Sequence, residues 1–340
     1  MIIDYFYPHD WEDVGYPSIY LRTRTEEGGL YTKVIEPDDE EYIPPNPQVL
    51  YDIKNELRTY EADTPYEDQI MFHMFPDVEK IPDFAPRIWY FDAEWQPNGP
   101  HQGATTMISV DDTHAENPVI FAWNEEQDGH SIDFIDREGG YMLYMYENED
   151  DMHSGFIKHL EESDPDMLIA HAMMWADLPQ FMRRIKNPNR LSPINQVIKP
   201  RKNVGYRDTQ QPILGRLCFD TALPWNSGSG LESVWQKSGK GQFRSRKLAS
   251  IAEELKLTEE YGEQGAKMDA DVRTWWVENF DEFVDYCVRD TTLLRKCTEK
   301  VSAIPFHIAM QKAHGVQFKS THNVTNYLRG QFNRRTPLKG

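Results

Sequence analysis

The chain has 340 residues, about 39% hydrophobic and 12% aromatic, enough to bury a full core and to divide into two units or one large unit with an extension. Its 36 basic against 56 acidic residues give a formal charge of −20, which repels duplex DNA at long range and excludes broad non-specific binding, so any nucleic-acid contact must be local. The three cysteines lack metal-like spacing, which excludes a zinc site and predicts reduced, buried or half-buried thiols.

The start, with Asp4, His9, Asp10 and Glu12, has no leader-like character, and nowhere do 18 apolar residues run together. A soluble chain that is not exported and has no membrane partner is expected, in the cytoplasm or, for a viral chain, the host cell cytoplasm. Residues 1–85 alternate in short runs, Ser18–Arg22 and Leu30–Val34, before the turn-rich stretch Pro37 to Pro47. A small β-rich domain followed by a helix near Gln48 to Thr59 is the expectation. Pro82 and Pro86 punctuate a boundary.

Candidate strands follow at Arg87–Phe91, Ala104–Val110, Pro118–Trp123 and Tyr141–Tyr146, then a helix over Met152–Glu162, a strand over Met167–Ala170 and a helix starting near Asp177 or Leu178. Gly215–Asp220 reads as a further strand, and Lys247–Leu255 as a helix whose Leu248, Ile251, Ala252 and Leu255 share a face. A helix over Phe280–Thr298 repeats Phe283, Tyr286, Cys287, Asp290, Leu293, Leu294 and Cys297 at helical spacing, and another is expected over Phe306–Ala313. This order predicts an α/β domain with a mixed sheet over 86–300, and a helical extension over 301–340.

The acids are where chemistry gathers. Asp92 and Glu94 end an apolar run, Ile88-Trp89-Tyr90-Phe91-Asp92-Ala93-Glu94, and residues two apart on a strand face the same way. Tyr286 and Asp290, four apart on a helix, share a face. With Asp177 they make four carboxylates on separate elements, the hard-oxygen set that holds two Mg²⁺ or Mn²⁺ ions against a phosphodiester. In that reading Asp92, Glu94 and Asp290 hold one ion, Asp92 and Asp177 the second, and Tyr286 orients the attacking water. The bland alternatives are an acidic turn after a strand, a helix N-cap for Asp177, and a half-buried aromatic for Tyr286.

Two basic stretches flank these acids. From Leu178 to Arg207 there is no Asp or Glu, yet Arg183, Arg184, Lys186, Arg190, Lys199, Arg201, Lys202 and Arg207 are cationic; a second stretch holds Lys237, Lys240, Arg244, Arg246 and Lys247. Each reads either as a solvated face or as a path for phosphates, with Arg183, Arg184 and Lys247 as candidate contacts.

Taken in order, several segments resemble the N-terminal and proofreading exonuclease region of family B DNA polymerases. Thr59-Tyr60-Glu61-Ala62-Asp63-Thr64-Pro65-Tyr66 is similar to the segment preceding that exonuclease. Tyr90-Phe91-Asp92-Ala93-Glu94 resembles its first motif, Asp164–Ile169 leading to Asp177-Leu178-Pro179 its second, and Tyr286-Cys287-Val288-Arg289-Asp290 its third, with Gly215–Asp220 and Lys247–Ala252 between. The likeness covers roughly residues 55–330. It implies a ribonuclease-H-like fold and two-metal hydrolysis of DNA from the 3′ end, with Asp92, Glu94, Asp177 and Asp290 as metal ligands and Tyr286 beside the water.

Two departures stand out. Family members commonly carry Asn and Phe where this chain has Ala172 and Ala176, and a small hydroxyl residue where it has Trp95. Trp95, Met173 or Trp175 either stack on the terminal base in compensation or are core residues. The family's palm segments, Ser-Leu-Tyr-Pro-Ser and Asp-Thr-Asp, are absent. The expectation is therefore a proofreading subunit or portion that binds single-stranded 3′ ends and primer-template DNA. It would work with a separate chain carrying palm, fingers and thumb, a division that looks viral. A structural, primer-template-binding subunit is the alternative; an RNA-directed exonuclease is a third.

Overall fold

The computed structural model describes residues 1–6, 16–45, 65–126, 130–136, 140–201, 205–207, 210–261, 272–322 and 328. The expected helix over 48–59 and the segment 59–64 lie outside these residues. The chain divides into two compact α/β units, one of Met1–Pro86, Leu214–Leu217 and Ile304–Gly340, the other of Arg87–Ile213 and Cys218–Ala303.

The smaller unit is built on an antiparallel sheet, β1 (Ile2–Phe6), β2 (Ser18–Arg24) and β3 (Leu30–Ile35), in that order. Ile3, Ile19, Leu21 and Ile35 form its core with Tyr66, Ile70 and Met71 of α1 (Tyr66–Met74). The described residues from Ile304 onward do not stand apart as a separate extension, because polar groups at both ends of the chain satisfy one another. The N-terminal ammonium donates to Gln311 Oε1 at 3.0 Å, Gln311 Nε2 donates to the Met1 carbonyl at 2.8 Å, and the Ile3 amide donates to Gln317 Oε1 at 3.1 Å. Each of these buried groups left unpaired would carry a desolvation cost of about 1 to 3 kcal/mol.

The larger unit carries a seven-stranded mixed sheet in the order β10-β9-β4-β5-β6-β8-β7. Its strands are β4 (Ile88–Trp95), β5 (Thr105–Asp112), β6 (Val119–Trp123), β7 (Ser131–Ile135), β8 (Tyr141–Tyr146), β9 (Met167–Ala170) and β10 (Leu217–Asp220). β4 is central, antiparallel to β5 and parallel to β9, which explains why its first four residues are all buried: a strand covered on both faces reads as a continuous apolar run. β7, an edge strand absent from the sequence expectation, exposes Ile132 and Phe134.

Helix α2 (Glu149–Ser163) connects β8 to β9; the Asn148 side chain accepts from the Asp151 amide at 3.0 Å, and three acids fill the first turn, where the helix dipole favours them. The remaining helices include α3 (Asp177–Arg184), α4 (Gly230–Lys237), α5 (Leu248–Glu254), α6 (Val272–Glu278), α7 (Phe280–Val301) and α8 (Ala303–His314). α4 and α6 are additions to the sequence expectation. α8 begins three residues before Phe306, since Pro305 in a first turn sacrifices no helical hydrogen bond. Cys218, Cys287 and Cys297 are buried and form no disulfide. Among the described residues no helix is long and apolar enough to cross a membrane.

Candidate active site

Parallel pairing decides where the acids go. Ile88, Trp89 and Tyr90 of β4 pair with Met167, Leu168 and Ile169 of β9, so both strands end on the same side of the sheet. Asp92 and Glu94 lie at the end of β4, and β9 runs out through residues 171–176 into α3, whose first residue is Asp177. The carboxyl ends of parallel strands are where open α/β sheets gather ligands. α7 packs across β4 and β5, and its Tyr286 and Asp290 lie close enough to Asp92 and Glu94 for their charges to act on one another.

Electrostatics register this meeting. Burial, then Asp290, pushes the Asp92 carboxyl up to about 7. Glu94 is raised well above the usual range by burial, Asp92 and Asp290, and Asp177 by burial, Asp92, Asp220 and Glu94. Burial also raises the Tyr286 phenol, which donates a hydrogen bond to Asp290. The Cys287 thiol is held well above its usual value by burial and by Glu94, Asp92 and Asp290, which keeps it protonated and rules it out as a nucleophile.

Asp177 does not cap its helix. Ala176 occupies the cap position without a side-chain bond, and Asp177 Oδ2 is buried without a hydrogen-bond partner. A buried carboxylate oxygen left bare costs free energy that a cation or a proton would relieve, and hard oxygens suit Mg²⁺ or Mn²⁺. The donor chemistry therefore fits a divalent ion. Yet among the described residues no three His, Cys, Asp or Glu side chains are drawn in closely enough to hold one. The acids sense one another across the site without closing on a common point.

The segment before Asp177 is organised by a residue absent from the sequence-predicted set. Asp220, at the end of β10, accepts the amides of Ala172, Met174 and Ala222, each at 2.9 Å. Ala172 is held at φ 68°, a left-handed conformation costly for a residue with a Cβ. Gly205, at φ +77°, lets the following segment close over this turn: a Cβ there would meet the Met174 carbonyl at 2.6 Å. His171 spans outward, one ring nitrogen 2.9 Å from Thr221 Oγ1 and the other 2.8 Å from the Arg246 carbonyl. The signal for Asp220 is present in the sequence, as an acid ending an apolar strand in the manner of Asp92.

The proposed strand contacts separate. Trp175 is 56% exposed and Trp95 half-buried at the end of β4, past a register shift. Met173 is fully buried in the core and offers no face for a base. Arg183 and Lys247 are exposed. Arg184 instead makes a two-pronged pair with Glu149, Lys186 pairs with Asp150 at 2.9 Å, and Arg190 with Glu161 at 2.6 Å. The acids of α2 thus pair three of the eight cations of the first basic stretch. No family model matches the chain, and no curated protein matches it.

Proposed function

We propose that this chain is a metal-dependent 3′–5′ exonuclease with a ribonuclease-H-like domain, of the proofreading kind that accompanies family B DNA polymerases. The observation that carries the reading is that the carboxyls of Asp92, Glu94 and Asp177, already raised by burial, are raised further by one another and by Asp290, four acids from three elements, with Tyr286 hydrogen-bonded to Asp290. Asp92, Glu94 and Asp290 would hold one Mg²⁺ or Mn²⁺ and Asp92 with Asp177 a second; bound there, the pair supplies an ionised water at neutral pH and charge compensation for the leaving 3′-oxygen. Tyr286, its proton committed to Asp290, keeps its oxygen lone pairs to accept from and orient a water. Exposed Trp175 and half-buried Trp95 are the faces on which a terminal base would rest. Proofreading would serve a polymerase chain that carries palm, fingers and thumb.

A second reading, a strand-holding subunit with weak hydrolysis, is favoured by two observations: the carboxylates do not close on one point, and Met173 is buried. The test is digestion of 5′-labelled single-stranded and mismatched primer-template DNA, with Mg²⁺ or with EDTA, by the intact chain and Asp92→Ala. A ladder shortening from the 3′ end that needs Mg²⁺ and disappears in the variant is expected. Equal rates for the two proteins would overturn the exonuclease; retained DNA binding without a ladder would favour the second reading.

A further inference from the structure

The first basic stretch is matched by acids in part, whereas the four cations from Lys240 to Lys247 lie within eight residues and, among the described residues, none is matched. Arg184, Lys186 and Arg190 are matched by Glu149, Asp150 and Glu161. Lys240, Arg244, Arg246 and Lys247 are exposed, and among the described residues none of the four side chains is ion-paired. Glu254 Oε1 accepts the Arg244 backbone amide at 2.7 Å and is not ion-paired with its side chain. In a chain of net charge −20, four unmatched cations within eight residues make a local attraction against a repelling background.

The backbone of this segment is fixed while its charges face water. Phe243 is buried and stacks on Trp235 at 5.3 Å between ring centroids, and Lys240 lies over the same Trp ring. Ser245 Oγ accepts the Lys247 amide at 3.2 Å. The Arg246 carbonyl is bonded by His171, which opens the very turn that Asp220 braces ahead of Asp177. The segment is therefore tied to the candidate site through one imidazole, and ordering it costs a ligand little further entropy.

We infer that Lys240–Lys247 is the track on which a single-stranded nucleic acid lays its phosphates on the way to the acid cluster, and that His171 positions it. The inference rests on the exonuclease reading for its direction, toward the acids, but its binding test needs no hydrolysis. A single strand is favoured over duplex because four cations on one short segment follow one backbone, whereas the long-range field opposes a broad double helix.

The experiment is fluorescence anisotropy of labelled oligo(dT) with Ca²⁺ in place of Mg²⁺, over a salt series, for the intact chain, Asp92→Ala, the fourfold Lys240→Gln, Arg244→Gln, Arg246→Gln, Lys247→Gln protein, and Lys186→Gln with Arg190→Gln. The fourfold change is expected to weaken binding at least tenfold and to flatten the log–log salt slope by about 0.7 for each phosphate no longer neutralised, roughly 2 to 3 in all. The Lys186, Arg190 pair should leave that slope unchanged. Single Arg244→Gln and Lys247→Gln proteins, each lowering the slope by about 0.7, give the same answer if the fourfold protein folds poorly. His171→Ala should weaken binding severalfold and His171→Gln, which can still hydrogen-bond, should restore most of it. An unchanged slope in the four-site and single-site proteins, an equal loss in the Lys186, Arg190 control, or no oligo(dT) binding by the intact chain would each overturn the track. Failure of the exonuclease alone looks different: strand binding that depends on these four residues, with no Mg²⁺-dependent ladder.

Discussion

Two groups of acids, one in each unit, have opposite surroundings. In the smaller unit Asp4, Glu67 and Asp68 are met by Lys319, which pairs with Glu67 and stands 3.6 Å from Asp4. The Gly215 amide donates to Asp4 at 2.7 Å; the Gln317 amide and the Ser320 hydroxyl donate to Asp68 at 2.7 and 2.8 Å. In the larger unit no Lys or Arg, among the described residues, offsets the charges that shift Asp92, Glu94 and Asp177. A group with its cation built in holds the chain together. One without it is destabilised by its own like charges, which is what the proposed metal site requires.

The greatest difference should appear at Asp92. Asp92→Ala is expected to lower Mg²⁺-dependent hydrolysis by about 10³-fold, while Asp92→Asn, measured in EDTA, should raise the melting temperature because it removes a buried like charge. A fall in both would put Asp92 in the stabilising class and erase the contrast. Lys319→Met should do the reverse, costing about 3 kcal/mol in denaturant unfolding, near the lower end for breaking a buried pair because the side chain is 22% exposed. A loss under about 1 kcal/mol would show that the backbone donors alone suffice.

Tyr286→Phe should slow hydrolysis by about 10²-fold with Mn²⁺ affinity, read by calorimetry, nearly unchanged. A parallel loss of affinity would mean that the phenol holds Asp290 in place instead of orienting a water. For pH, burial raises Asp68 to about 6 from an unfolded value near 3.8. Its folded form holds the proton longer, so the stability it contributes is full below about pH 4 and is lost as pH rises through about 6. Asp68→Asn should flatten that part of a stability-against-pH curve. The smallest effect belongs to the turn before Asp177: Ala172→Gly, relieving φ 68°, should stabilise by about 1 kcal/mol in thermal melts.

The strands whose both faces are apolar, and the acids that end them, are legible in the sequence because a buried central strand and a helical repeat leave a local imprint. Tyr286 and Asp290 are visible for the same reason, four apart on a long periodic helix. β7 is not, because its Ser131, Ile132, Asp133 and Phe134 are all exposed, so its alternation marks no buried face. The fate of the first basic stretch is equally hidden: Arg184 meets Glu149 thirty-five residues away, a pairing that spacing does not reveal. The roles of Asp220 and His171 come wholly from tertiary contacts. The sequence leaves Met173 open between base contact and core, and its complete burial assigns it to the core.

The pairing of β4 with β9 would make the proposed catalysis hostage to alignment. Side chains on a strand alternate, so a slip of one residue between Tyr90 and Ile169 would turn Asp92 and Glu94 to the opposite side of the sheet while leaving every acid in the chain intact. Substitutions deep in the hydrophobic packing around Trp89 could then silence the protein as completely as removing a carboxylate, through geometry alone.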